Sequence, residues 1–231
     1  MPSLPDFADL LGDEIVTVWP TIARIVPAGS ILMGGTALAM RLSHRRSEDL
    51  DIFTPKKFDP EPMIAALQGA GRFEVERVSA TDLHGRFNSV KVEIMCTPVL
   101  ETLEPPLTVE GLDVGSIPDI MATKLRALAT RSTLRDYFDI MCIERQAGIS
   151  LEEGLVLYTR KFGVRLQDWT VQHIVRALGY LEDVEDDPTL HILARDLAGD
   201  DLRGGVVRYF EARHARLARS FQQTLGRGVD L

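Results

Sequence analysis

Asp49 and Asp51 flank a single leucine within the apolar run that continues through Ile52 and Phe53, and this spacing constrains the chain more than any other feature. Alternate residues of a strand point to the same side, so the two carboxylates project together while Leu50 and Ile52 point into a core. Like charges that close repel unless a cation lies between them. Hard oxygen donors supplied by few protein groups suit Mg²⁺ (or Mn²⁺), which fills its octahedron with water and substrate phosphates. A solvated strand edge carrying an exposed aspartate pair is the alternative reading of the same residues.

Upstream, the apolar stretch 30–33 ends at Gly34, Gly35 and Thr36, where a helical pattern over 36–42 begins. Glycine lets backbone approach a ligand closely, and a helix N-terminus offers free N–H groups to phosphate. Such a diglycine also occurs where nothing binds. Downstream, Val92 and Ile94 alternate with Lys91, Glu93 and Met95. If that strand neighbours the aspartate strand, Glu93 completes a three-carboxylate set suited to two-metal phosphoryl chemistry; otherwise it is a surface residue of a one-sided sheet.

The organisation around these residues reads as α+β. Residues 1–27 form a helical lead-in, with Asp6 or Asp9 as caps and Pro20 and Pro27 as breaks. Strands are expected over 30–33, 50–53 and 73–79, and a hairpin over 84–95 turning near Asn88 and Ser89. A helix follows the prolines at 61–71, and 106–116 is an edge strand or an extended connection. From Pro118 the periodicity is helical, over 118–130, 134–147, 151–162, 168–182 and 203–225, with Ser150 and Glu153 as a capping box. Two domains result: a mixed sheet with flanking helices in 1–117, and a helical region, 118–231, expected to pack against it and contribute active-site residues.

Charge restricts the partners. The chain has 231 residues and a net charge of -8, so it is no generic polyanion binder, and nucleic acid would need a local basic patch or metal ions. The last helix is locally basic, through Arg203, Arg208, Arg213, Arg216 and Arg219, and reads as an RNA-facing patch or a solvated face. Lys124, Leu128, Arg131 and Arg135 share one stripe if a helix runs unbroken through 118–135, and Asp136 and Asp139 lie one turn apart. Two cysteines make no disulfide scaffold, no GxxxxGK string marks a P-loop, and the five histidines show no metal-ligand spacing. No apolar run reaches the ~20 residues of a membrane span and no basic-then-apolar leader is visible, so a cytoplasmic protein is expected.

Gly34, Gly35, a helix and then Asp49, Leu50, Asp51 resemble the signature of the DNA polymerase β-like nucleotidyltransferase superfamily. The fuller string GGTALAMRLSHRRSEDLDIF, with VKVEIM and KLRALATRSTLRDYFDI, is similar to the AbiEii/AbiGii-type nucleotidyltransferase toxins of bacterial toxin–antitoxin and phage-defence systems. The resemblance implies that Gly34, Gly35 and Thr36 hold an NTP triphosphate and that Asp49 and Asp51 ligate catalytic Mg²⁺. Lys124 then contacts nucleotide phosphates, and Asp136 or Asp139 is the last catalytic acid. Glu93 stands where the wider superfamily often has aspartate. Ser47 lies two residues before Asp49, where a phosphate would block triphosphate binding; otherwise it is an ordinary turn serine. The implied acceptor is the 3′ end of tRNA and the implied partner an antitoxin encoded beside the toxin. A small-molecule nucleotidyltransferase of the aminoglycoside or lincosamide kind, or a degenerate nucleotide-binding regulator, are the rival readings.

Overall fold

The computed structural model describes residues 2–97, 102–194 and 201–226. The chain divides into two compact units, Met1–Ser116 and Ile117–Leu231.

The first unit is built on a seven-stranded mixed sheet with spatial order β3-β4-β5-β2-β1-β7-β6. Its strands are β1 (Ile31–Met33), β2 (Asp49–Thr54), β3 (Phe73–Val78), β4 (Asp82–Phe87), β5 (Val90–Cys96), β6 (Leu107–Val109) and β7 (Leu112–Val114). The central strand β2 runs antiparallel to β1 and parallel to β5. Asn88 and Ser89 both take positive φ, 48° and 81°, the backbone of a two-residue type I′ turn, which joins β4 to β5. Glu110 and Gly111 repeat that device between β6 and β7, so the stretch after Pro106 is a hairpin rather than a lone edge strand.

Alternation along β2 and β5 sorts their side chains. Leu50, Ile52, Val92 and Ile94 are buried, whereas Asp49, Asp51, Lys91 and Glu93 stay partly open. The helices α1 (Asp13–Ile25) and α3 (Pro60–Ala70) touch each other, α1 against β5 and α3 against β3 and β4. Pro20 does not break α1, contrary to expectation; the helix runs through it. An interior proline costs ~3 kcal/mol. Ile15, Val18, Trp19 and Ile22 are buried on either side of it, and each such side chain contributes ~1.5–3 kcal/mol, so burial wins. Trp19 also donates to the Val109 carbonyl, 3.2 Å away. Pro27 does end the helix, because Val26 before it is driven to extended backbone. The cap of α1 is Gly12, not Asp6 or Asp9.

The second unit is helical: α4 (Ile117–Leu128), α5 (Leu134–Cys142), α6 (Leu151–Phe162), α7 (Trp169–Ala177), α8 (Pro188–Leu193) and α9 (Leu202–Gly226). A π-helical turn, Ile143–Ala147, extends α5. The Ser150–Glu153 capping box forms at the start of α6. The short α8, which periodicity does not reveal, is nucleated by Asp187 accepting from the Thr189 and Leu190 amides. Tyr137 and Phe210 meet edge to face at 5.2 Å in the core, and a buried Lys161–Asp119 pair at 2.6 Å ties α6 to α4. Among the described residues, no helix is long and apolar enough to cross a membrane.

Candidate active site

Helix α2 (Gly34–Leu42) begins on the residue that follows β1, with Gly34 at φ +68°. Met33 pairs with Asp51 across the sheet, which brings Gly34 directly against the Asp51 carboxylate. A Cβ on Gly34 would overlap Asp51 Oδ2 and stand 2.9 Å from its Cγ. Glycine is therefore required twice, by backbone conformation and by close approach. Asp49 lies one alternation earlier on the same side of β2, and the first residue of α2 lies against Asp51.

The segment between α2 and β2 is pinned from several sides. Thr36 hydrogen-bonds to the Asp49 carbonyl and shares a second bond with the Ser47 hydroxyl at 2.8 Å. The Ser47 amide donates to the Leu10 carbonyl at 3.0 Å, so the N-terminal segment clamps the loop. Ser47 is buried, as is Arg45, whose guanidinium lies where a Gly35 Cβ would point and donates to the Arg46 carbonyl at 2.9 Å. Thr36 and Ser47 thus set the position of Asp49 through its backbone, and Arg45 places a buried cation behind the diglycine.

Glu93 neighbours the aspartates, because Asp51 and Glu93 are register partners on parallel strands. Its Oε1 accepts from Lys91 Nζ at 2.6 Å and lies 3.2 Å from His84 Nδ1. Arg77 Nη2 approaches His84 Nε2 at 2.7 Å. A guanidinium can only donate, so Nε2 accepts and the Nδ1 proton faces Glu93. Burial pushes the Glu93 carboxyl up, but Lys91 and His84 outweigh it and hold it below its ordinary value. The hydrogen bond to Glu93, opposed by burial and helped by the charges of Asp49 and Asp51, holds Lys91 above its own.

A divalent cation suits part of this face. Asp49 and Asp51 are half-open oxygen donors on one side of one strand, the donor type that Mg²⁺ accepts in small number. The expected three-carboxylate set is not gathered: no group of three or more His, Cys, Asp or Glu among the described residues is arranged to hold a metal. Glu93 is drawn instead toward Lys91 and His84.

In the helical unit the expected single stripe of cations is not formed. Helix α4 stops at Leu128, and Thr133 restarts helix as the cap of α5, its hydroxyl bonded to Asp136 Oδ2 at 2.7 Å. Lys124 is buried between Asp136 at 3.0 Å and Asp139 at 2.6 Å. Arg131 sits at the rim, 3.6 Å from Asp136, while Arg135 turns to Asp187 at 2.5 Å.

The model of the nucleotidyl transferase AbiEii toxin family, a type IV toxin–antitoxin system, matches residues 29–225. The chain belongs to this AbiEii family. An uncharacterized protein of Aquifex aeolicus (strain VF5) is 30% identical over 160 residues, covering 68% of this chain and 75% of its own length. The nucleotidyltransferase toxin MenT4 (Rv2826c) of Mycobacterium tuberculosis H37Rv superposes with a TM-score of 0.53 at 18% identity, over 91% of this chain and 86% of MenT4. A crystal structure of an H. pylori protein described as a nucleotidyltransferase gives 0.51 at 17% identity, over 89% and 96%. The AbiEii-family chain is a nucleotidyltransferase with the mixed sheet and helical region expected of it.

Within this AbiEii chain, sequence reasoning left out His84, Lys91, Arg77 and Arg45. His84 and Arg77 lie on β4 and β3, whose pairing with the aspartate strand through β5 is visible only once the sheet order is known. Lys91 carried a signal: two residues before Glu93, it shares that residue's side of β5, and it is the register partner of Asp49.

Proposed function

We propose that this AbiEii-family enzyme transfers a nucleoside monophosphate from an NTP to the 3′ hydroxyl of tRNA, with Mg²⁺ as cofactor, as a toxin restrained by a cognate antitoxin protein. The observation that carries the reading is the approach of Gly34 to Asp51, which sets the aspartate strand beside the N-terminus of α2. Gly34, Gly35 and Thr36 offer N–H donors to the triphosphate, and Asp49 and Asp51 would hold a divalent cation there. When bound, the metal supplies charge neutralisation and acidifies the attacking hydroxyl.

The acceptor oxygen bonds to the α-phosphorus, and the bond to the β-phosphate oxygen breaks to release pyrophosphate. The hydroxyl proton is assigned to the Glu93 carboxylate, whose Oε1 meets Lys91 and His84. A carboxylate held below its ordinary value is a weak base, so electrostatic stabilisation is assigned most of the rate acceleration. Lys91 adds a cation on the same face. Lys124, Asp136 and Asp139 are assigned to one buried ion cluster, leaving Arg131, 67% exposed, as its cation open to phosphate.

The test is incubation with each labelled NTP, Mg²⁺ and total tRNA. Label on tRNA is expected, and none with Asp49→Ala. Full transfer by Asp49→Ala overturns the metal assignment; label on an aminoglycoside alone, or NTP binding without turnover, overturns the acceptor.

A further inference from the structure

The helical unit carries a cavity of about 580 Å³ that the residues assigned to transfer do not use. Its walls come from the end of α5 and the first half of α9, and include Arg145, Asp201, Arg208, Tyr209 and Arg213. The Arg145 guanidinium lies 4.7 Å from the centre of the Tyr209 ring. That stacking fixes its plane and leaves its N–H edge for an oxygen ligand. Arg208 meets Asp201 at 2.9 Å, but both side chains are largely exposed, so solvent screens the pair and an anion can displace it. Arg213 is anchored by Glu144 and Glu152, with Nη1 buried and lacking a hydrogen-bond partner.

The positive surface continues along the helix. Arg208, Ala212, Arg216 and Arg219 follow at intervals of four, four and three, which is one stripe, and all four are exposed. At 1.5 Å per residue the arginines span ~16 Å. Helix α9 holds five arginines against one acid, Glu211, in a chain whose net charge is -8. A ridge of guanidiniums beside a cavity with an aromatic wall, in a protein that otherwise repels polyanions, matches a phosphodiester chain.

We propose that the cavity and the Arg208–Arg216–Arg219 ridge bind the phosphodiester backbone of the acceptor RNA. The proposal rests on the reading of tRNA as acceptor. Each guanidinium that neutralises a phosphate releases condensed counterions, so binding through this face falls with salt by ~0.7–0.9 in log K per log unit for each contact.

The experiment measures binding of fluorescently labelled tRNA across a salt series for wild type, for Arg208→Gln/Arg216→Gln/Arg219→Gln, and for a charge-matched control, Arg160→Gln/Arg165→Gln/Arg176→Gln. The α9 variant is expected to bind at least tenfold more weakly, with its salt slope reduced by ~2, while the control and all NTP affinities stay near wild type. Equal tRNA binding by the α9 variant and the control overturns the proposal, as does loss of NTP affinity with tRNA affinity retained. The two readings fail separately. If wild type binds tRNA through α9 but transfers no nucleotide to it, the acceptor reading falls and the surface stands. If the α9 variant binds and labels tRNA as well as the control does, the surface falls and the acceptor reading stands.

Discussion

Gly34 and Asp51 are packed so closely that no side chain fits between them: a Cβ on Gly34 would lie 2.9 Å from Asp51 Cγ and overlap a carboxylate oxygen. The strand-to-helix turn and the acidic strand are thereby one structural unit. Gly34→Ala is expected to lose ~1–2 kcal/mol from the left-handed backbone alone, plus the displacement of Asp51. Urea unfolding and nucleotide transfer assays check this, and a variant with wild-type activity contradicts it.

Asp49→Asn and Asp51→Asn retain the shape of the strand and remove one negative charge each. Transfer is expected to fall by ~10²–10³ or more, the usual scale for losing one preorganised electrostatic group. The thermal midpoint should change far less than activity, since relief of the repulsion between the pair is offset by loss of their attraction for Lys91. Isothermal titration with Mn²⁺ should show weakened cation binding in both variants.

Lys124→Met leaves Asp136 and Asp139 buried without their shared ammonium. Stripping one partner from a buried ionic group costs ~3–5 kcal/mol. The double replacement Lys124→Met/Asp139→Leu should recover part of that loss in urea unfolding, since it removes a charge along with its partner.

Glu93 and Lys91 give stability a defined pH window. The Glu93 pKa is depressed by folding, so its contribution is full above the ordinary value of 4.5 and lost as pH falls through the folded one. The Lys91 pKa is raised, so its contribution is full below the ordinary 10.5 and lost as pH rises through the folded one. Glu93→Gln should flatten the acid limb of a urea-midpoint series below pH 4.5. An acid limb as steep as that of wild type contradicts the pairing.

Local chemistry makes much of this protein legible in its residues alone. Asp49 and Asp51 share a face because strand alternation has period two, and the Ser150–Glu153 box and the Asn88–Ser89 turn are decided within a few residues. Pro20 misled because a helix-breaking rule is local, whereas the buried Trp19 and Ile22 that override it are a tertiary fact. The stripe through Lys124, Arg131 and Arg135 misled for the opposite reason: spacing presumes a continuous helix, and Thr133 capping divides it.

By itself the sequence determined the local units: an acidic strand, a glycine turn, a helical second half and a basic last helix. Only tertiary structure decided which charges meet. Glu93 sits beside Asp51 through a parallel pairing of strands some forty residues apart, yet its carboxylate goes to Lys91 and His84. Alternation tells a side chain which face to occupy, but the partner waiting there is delivered by strand order and helix packing, and for a charge leaving water that partner decides its state.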